Sequence, residues 1–261
     1  MTRDALLNRR QMLTRAAIGG AALGLSACDR LSNATQSRSV LDAAENLTRA
    51  AQRALLAPRD ALAPEYEIAD LSSGFKPNGS VDPDDPVYVQ ARDEHFVNWK
   101  LDVIGLVDKP AQLSLADLRQ MPSRAQITRH DCVEGWSCIG KWKGAPLGPI
   151  LTAAGLKPSA RYIAFYCADT LEQTLDGTGQ YYETIDLVDA FHPQTILAYD
   201  MNDEPLPVAH GAPLRLRVER QLGYKMAKYV MRIEAIESYD KMGRGRGGFW
   251  EDRGYEWYAG I

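Results

Sequence analysis

Between positions 57 and 90 the chain is crowded with Pro, Gly, Asp and Ser, and the run P-N-G-S-V-D-P-D-D-P at 77–86 allows no sustained helix or strand pattern. Regular structure is therefore confined to a short stretch before this loop and to positions 91–261 after it. Before it, Val40, Leu41, Ala44, Leu47, Ala51 and Leu55 recur at helical spacing, which predicts an amphipathic helix over 39–56 packed on the domain. After it, Trp99, Leu101 and Val103 alternate as in a strand, a D-K-P turn follows, and Ser114 with Asp117 forms a capping-box variant that starts a short helix. Strand-like patterns cover 161–167, 195–199, 213–218 and 228–236. The segment 146–154 reads as a helix ending near Gly155. The pattern is that of a single mixed, β-rich α+β domain, and no repeat or G-x-G-x-x-G loop points elsewhere.

The amino end reads as a targeting segment. N-R-R-Q-M-L-T-R at 8–15 precedes a small-residue apolar run over 16–27, the pattern of a twin-arginine export signal. Leu25-Ser26-Ala27-Cys28 resembles a bacterial lipoprotein cleavage box, which makes Cys28 the expected lipidated first residue; cleavage by an ordinary signal peptidase is the other reading. Asp29 beside it resembles an inner-membrane retention signal. The expected organisation is a signal over 1–27, a tether with the helix and loop over 28–90, and a catalytic domain over 91–261. The expected location is the periplasm, with anchoring to the inner membrane through Cys28. Twin-arginine export carries folded chains, so a cofactor inserted before export is expected.

The whole chain carries a net charge of −4, and loss of 1–27 removes four arginines and one aspartate, leaving about −7. Such a chain is a poor partner for nucleic acid. Three cysteines remain besides Cys28. In an oxidising compartment at least one of them stays unpaired or is otherwise engaged, while Cys138 and Cys167 are open either to pairing or to burial as small hydrophobes.

Two constellations carry chemistry. The first is R-H-D-C-V-E-G-W-S-C-I-G-K-W-K-G-A-P-L at 129–147, where Cys132 lies among charged and aromatic residues. Arg129, His130 and Lys141 are placed to lower its pKa, and a thiolate is a nucleophile or metal ligand. Glu134 and Trp136 suit a pocket wall, and Trp142 suits the core. The second is L-P-V-A-H-G-A-P-L-R-L-R-V at 206–218 with L-G-Y-K-M-A-K-Y at 222–229. Gly211 and Gly223 permit close backbone approach, Arg215 suits bidentate phosphate binding, and Lys225 and Lys228 add charge. Taken alone, this region also reads as a basic strand pair joined by Gly turns.

Together, in this order, the two constellations resemble the sulfite oxidase family of molybdopterin enzymes from about Trp99 onward. Arg129 and Cys132 match its R-x-x-C, and A-Y-D-M-N-D-E-P-L-P-V-A-H-G-A-P-L-R followed by G-Y-K-M-A-K-Y resembles its cofactor-binding run. The resemblance implies a molybdenum–molybdopterin cofactor with Cys132 as the metal ligand. His210, Arg215 and Met226-Ala227-Lys228 would hold the pterin and its phosphate. It places Cys167 near a cofactor-contacting threonine, Tyr181 at a substrate-side tyrosine beside Tyr182, and Arg92, His95 and Phe96 of R-D-E-H-F where the amino-terminal cofactor motif is expected. Arg129 is then a candidate catalytic group that attracts the oxygen of an S-oxide or oxyanion.

V-E-G-W-S after Cys132 departs from the animal and plant sulfite oxidases, which carry an anion-binding arginine there. It resembles instead the exported methionine sulfoxide reductase branch. The implied activity is two-electron oxo transfer, reducing an S-oxide or N-oxide, with oxidation of a small substrate such as sulfite as the alternative. The implied assembly is a monomer without the carboxy-terminal immunoglobulin-like domain. Neither C-x-x-C-H nor an iron–sulfur cysteine run occurs, so a separate electron partner is expected, a membrane haem protein or a cytochrome c. Two other classes compete: a zinc protein using His130, Cys132 and Cys138, and a non-catalytic envelope lipoprotein that binds a partner.

Overall fold

The computed structural model describes residues 61–261 continuously, together with helical positions between 43 and 54. The targeting segment, the cleavage box with Cys28 and much of the expected 39–56 helix lie outside the described residues. Positions 43, 44, 47, 48, 50–52 and 54 are helical, in line with the apolar spacing, and Leu47 is exposed. The second of the chain's two units runs over Ala57–Ile261, so it includes the loop expected as tether.

That unit carries two five-stranded sheets. In the first the order is β2 (Ala111–Ser114), β1 (Lys100–Gly105), β10 (Val230–Ile236), β5 (Tyr162–Thr170), β6 (Gln180–Asp186), with β1 and β10 parallel and the other pairs antiparallel. The second runs β3 (Arg124–Asp131), β4 (Ser137–Pro146), β7 (Ile196–Met201), β8 (Glu204–Pro205), and β9 (Arg215–Arg217) also pairs with β7. Helices are few and short: α1 (Pro86–Asp93), α2 (Leu115–Gln120), α3 (Leu147–Ala154) and α4 (Leu187–Ala190). The mixed, β-rich α+β reading of the sequence holds.

One apolar cluster joins Leu101 and Val103 of β1, Ile163 and Phe165 of β5 and Ile233 of β10 to Leu147, Ile150 and Leu151 of α3 and to Leu197 and Leu216 of β7 and β9. A second cluster centres on Trp142 with Ile196, Ala198, Met201 and Leu206, and Phe75 packs against it. Trp142 is fully buried, as expected of a core tryptophan. Local signals explain several ends. Ser114 and Asp117 form the capping box of α2, and Gly155 closes α3 in the left-handed conformation.

The loop contains more order than its composition predicts. Helix α1 starts inside it, with Asp85 accepting from the Tyr88 N–H at 2.9 Å and Pro86 at the first position. An N-cap aspartate followed by proline is a helix start that the run of loop-forming residues obscured. Ile68–Asp70 forms one further 3-10 turn.

Candidate active site

Strands β3 and β4 form a hairpin in register from Arg124↔Gly144 to Asp131↔Ser137, and Cys132 is the first residue of its loop. The loop is fixed by Cys132 N–H to the Trp136 carbonyl and Gly135 N–H to the Cys132 carbonyl, both 2.9 Å, with Gly135 at φ +86°. Cys132 is buried yet opens onto a cavity of about 390 Å³. Its Sγ accepts from Asn78 Nδ2 at 3.2 Å.

Strand alternation decides which neighbours reach that cavity. Along β3, Gln126, Thr128 and His130 are buried and Arg129 is exposed. Arg129 pairs with Asp131 at 2.9 Å and does not line the cavity. The expected thiolate-stabilising and oxygen-attracting role of Arg129 is therefore corrected: its neighbour His130 occupies the inward position. Lys141 likewise turns to Asp203.

His130 is held by Arg217, whose Nη1 donates to Nδ1 at 3.1 Å. A guanidinium only donates, so Nδ1 accepts and Nε2 carries the proton. Burial, followed by the charges of Arg215 and Arg217, keeps the ring neutral by pushing its pKa well below the usual value. Gly223 makes room for the ring, since a Cβ there would lie 2.3 Å from its Cε1. Gly211, at φ +114°, backs onto the Lys228 stem. Both glycines serve close approach as expected, but towards protein side chains.

The second constellation divides sharply. Arg217 is fully buried and bonded to Glu219 at 2.6 Å, with its guanidinium 4.3 Å from the Trp142 ring centroid. Lys225 is fully buried between Glu183 and Glu251, 2.5 Å from each. Burial opposes its charge, but the two carboxylates raise its pKa above the ordinary lysine value. Lys225 is therefore a structural cation, contrary to the expected anion-binding role.

Arg215 and Lys228 differ. Both are buried and line the cavity, and among the described residues neither forms an ion pair. Arg215 Nη1 donates to the His210 carbonyl at 3.1 Å while its Nε has no partner. Lys228 Nζ donates to the carbonyls of Asn78 (2.7 Å), Ser80 and Ala209, clipping the proline-rich loop onto the site. Burial, then the neighbouring Arg217, brings Arg215 down to about 9. Burial, then Arg215, brings Lys228 down to about 7.

Asp169, missed from the sequence, also faces the cavity, and its Oδ1 has no partner. Burial raises it to about 7 against the opposing charge of Lys228. Met226 lines the cavity, with its Sδ 3.3 Å from His130 Nδ1. Ala227 is buried beside it, and its carbonyl accepts from Leu216 N–H. His210 stands one ring behind: its ring centroid is 5.5 Å from that of Phe75, its Nδ1 lacks a partner, and burial followed by Arg215 lowers it to about 4.

Of the adjacent Tyr181 and Tyr182, Tyr181 lines the cavity, and its hydroxyl donates to the Tyr224 carbonyl. Tyr182 turns the other way, to Asp252 at 2.7 Å. Burial, then Glu183 and Glu251, raises the Tyr181 pKa well above the usual value and keeps the phenol protonated.

Besides His210 and Ala227, which stand just outside the cavity lining, four expected cofactor contacts fall elsewhere. Arg92 is neutralised by Asp82 and Asp93, His95 is exposed, and Phe96 packs on Tyr88 at 5.7 Å; none lines the cavity. Their place is taken by Phe75, Asn78 and Gly79 of the loop. Cys167 sits in the apolar core with its thiol raised by burial and by Asp169, while Asp169 two residues later reaches the cavity. Cys138 and Cys167 are both free thiols. The last missed group is aromatic: Tyr224, Trp250 and Tyr255 line the cavity, the latter two from the carboxy-terminal segment.

The donor set tests which ligand fits. No group of three or more His, Cys, Asp or Glu converges on one point among the described residues, so the zinc set His130, Cys132 and Cys138 does not assemble. One thiol suits a metal that brings its other ligands with it. Two uncompensated cations suit a phosphate. The unpartnered Asp169 oxygen suits N–H donors such as those of a pterin, and unpartnered buried polar atoms in a largely apolar cavity ask for a ligand that carries matching polar groups.

The oxidoreductase molybdopterin binding domain matches residues 87–242. A putative protein-methionine-sulfoxide reductase subunit of Azospira oryzae is 37% identical over 199 residues, covering 76% of this chain and 68% of that protein. A protein-methionine-sulfoxide reductase catalytic subunit of Gluconobacter oxydans is 34% identical over 170 residues, covering 61% of this chain and 52% of its own length. The chain thus spans about two thirds of the first and half of the second. Among solved structures, the sulfane dehydrogenase SoxCD of Paracoccus pantotrophus is similar at 23% identity with a TM-score of 0.48, over 54% of this chain and 39% of that one.

Proposed function

The chain belongs to the oxidoreductase molybdopterin-binding domain family, and on that premise we propose that it is an exported molybdenum enzyme that removes oxygen from S-oxides. One observation carries the reading: a single cysteine thiol opens onto the same cavity as two buried cations that lack carboxylate partners. Similarity to protein-methionine-sulfoxide reductases supports the S-oxide as substrate.

In this reading Cys132 Sγ would hold the molybdenum, with the Asn78 amide orienting the sulfur. Arg215 would hold the terminal phosphate of the pterin, Lys228 would add positive charge nearby while its N–H groups stay on the loop carbonyls, and Asp169 would accept from the pterin N–H groups. When bound, the cofactor supplies the two-electron oxo-transfer chemistry. His130 stays neutral and adds no charge beside the sulfur. Tyr181 keeps its proton on Oη, where it is donated to the Tyr224 carbonyl, and turning that O–H into the cavity would let it donate to the oxygen of a bound S-oxide. Hydrophobic and aromatic walls restrict water around that oxygen.

Export by the twin-arginine route to the periplasm, with lipidation at Cys28, rests on the motifs at 8–15 and 25–28. Electrons come from a separate redox protein. The test is reduction of methionine sulfoxide and dimethyl sulfoxide by the purified holoenzyme with a reduced viologen dye as donor. Dye oxidation that depends on the S-oxide is expected. A loaded enzyme that oxidises sulfite and reduces neither sulfoxide would contradict the proposal.

A further inference from the structure

The cavity lining combines two chemically distinct groups of residues. Arg215, Lys228, Asn78 and Asp169 supply polar and charged groups. Tyr224, Trp250 and Tyr255 supply a continuous layer of rings: Trp250 stacks on Tyr255 with centroids 5.3 Å apart, and Tyr224 meets Tyr255 edge-on at 5.2 Å. Tyr181 connects to this layer through its bond to the Tyr224 carbonyl and by stacking on Phe249 at 5.7 Å.

The cations nearest these rings in sequence are turned away from the cavity. Lys225 lies between Glu183 and Glu251, and Arg253 is bonded to Glu172 with its guanidinium 3.5 Å from the Phe249 ring centroid. A negative group placed against these rings would lose water, and neither Lys225 nor Arg253 is turned to meet it. A neutral carbon substituent would gain ring contacts, and sulfur itself packs favourably against aromatic edges. Trp250 and Tyr255 lie beyond the segment that matches the family, which ends at 242.

We propose that Trp250 and Tyr255, backed by Tyr224, form a specificity clamp that receives the carbon substituents of a neutral S-oxide and favours aryl or extended alkyl sulfoxides over small or anionic oxygen compounds. The proposal rests on the S-oxide reading above. These residues touch the part of the substrate that does not react, so their removal acts on KM more than on kcat.

The experiment compares methyl phenyl sulfoxide with dimethyl sulfoxide on holoenzyme, for wild type, Trp250→Ala and Tyr255→Ala, with molybdenum per chain measured alongside. Calorimetric titration with methyl phenyl sulfone and dimethyl sulfone measures the same preference without turnover. Wild type should favour the phenyl compound in both assays, and Trp250→Ala should lower that preference at least about tenfold, mainly through KM. Tyr255, more exposed, supplies the second variant should Trp250→Ala fail to fold. An unchanged preference in the folded variants overturns the clamp. A wild type that binds the phenyl sulfone selectively but reduces no sulfoxide overturns the S-oxide reading and leaves the clamp standing.

Discussion

Between positions 215 and 228 the chain buries cations in two opposite ways. Arg217 and Lys225 are enclosed with carboxylates, Glu219 for the first and Glu183 with Glu251 for the second. Arg215 and Lys228 are enclosed with carbonyl oxygens and open space. A buried charge must be compensated. The first pair is compensated by the fold; the second has no ion-pair partner among the described residues, with only the Asp169 carboxyl acting on Lys228 from within the same cavity. Local composition does not separate them, since Lys225 and Lys228 are three residues apart. What separates them is the presence of a carboxylate, delivered from two residues along the chain for Arg217 and from a distant strand and turn for Lys225.

The largest expected effect tests the compensated side. Lys225→Met leaves two buried carboxylates facing each other without their cation, and Glu183 is already raised well above the carboxylate range by burial and by Glu251. A loss of about 3–5 kcal/mol is expected, as for breaking a buried ion pair from one side, measured by urea unfolding. Stability equal to wild type would show that Lys225 is not held as described.

On the uncompensated side the sign reverses. Arg215→Met removes a buried cation without a partner carboxylate, so the cofactor-free protein should keep or gain stability, by up to about 1 kcal/mol. Pterin retained per purified chain should nevertheless fall about tenfold, since a charge-assisted phosphate contact contributes on the order of 1.5–3 kcal/mol. Full pterin content in this variant would remove the distinction between the two pairs.

A smaller effect appears in pH dependence. Lys228 titrates at about 7 in the folded chain, below its ordinary value of 10.5, so the unfolded chain binds more protons between those limits. Cofactor-free protein should therefore gain stability from this group as pH rises from about 7 towards 10, and that gain is lost as pH falls through 7. Asp169, raised from 3.8 to about 7, acts in the opposite sense at lower pH: its contribution is lost as pH rises through 7. Melting curves of wild type and Lys228→Met should diverge above pH 7, with the wild type gaining more. Parallel curves would place Lys228 in water.

The smallest effect concerns a residue that the sequence favoured. Arg129→Ala should leave molybdenum content unchanged and stability within about 0.5 kcal/mol, because its bond to Asp131 is a half-exposed surface pair. A collapse of metal content in Arg129→Ala would return this residue to the site.

Short-range patterns were legible. The α2 capping box, the Gly155 terminus of α3, the β1 alternation and the R-x-x-C and H-G-A-P-L-R runs all use neighbouring residues, and the structure brings Cys132, Tyr181, Arg215, Met226 and Lys228 to one cavity. Arg129 was misread although the signal was present: β3 alternates, and placing His130 inward turns Arg129 outward. The remaining errors needed contacts across the chain. Lys225 finds its carboxylates 42 and 26 residues away, and Lys228 holds the Asn78 carbonyl 150 residues away. Nothing local in P-N-G-S shows that this loop folds over a thiol. Asp169 was hidden for the same reason, because an aspartate at a strand end reads as a solvated charge until the cavity beside it is known.

The central claim is that Cys132 and the uncompensated cations hold a molybdenum–pterin group. Molybdenum and pterin per chain should be measured on protein from a host that makes the cofactor, for wild type and Cys132→Ala. The account predicts both near one per chain in wild type, with molybdenum reduced and pterin partly kept by Arg215 and Lys228 in the variant. Zinc or no metal in the wild type, or equal molybdenum in Cys132→Ala, would contradict it.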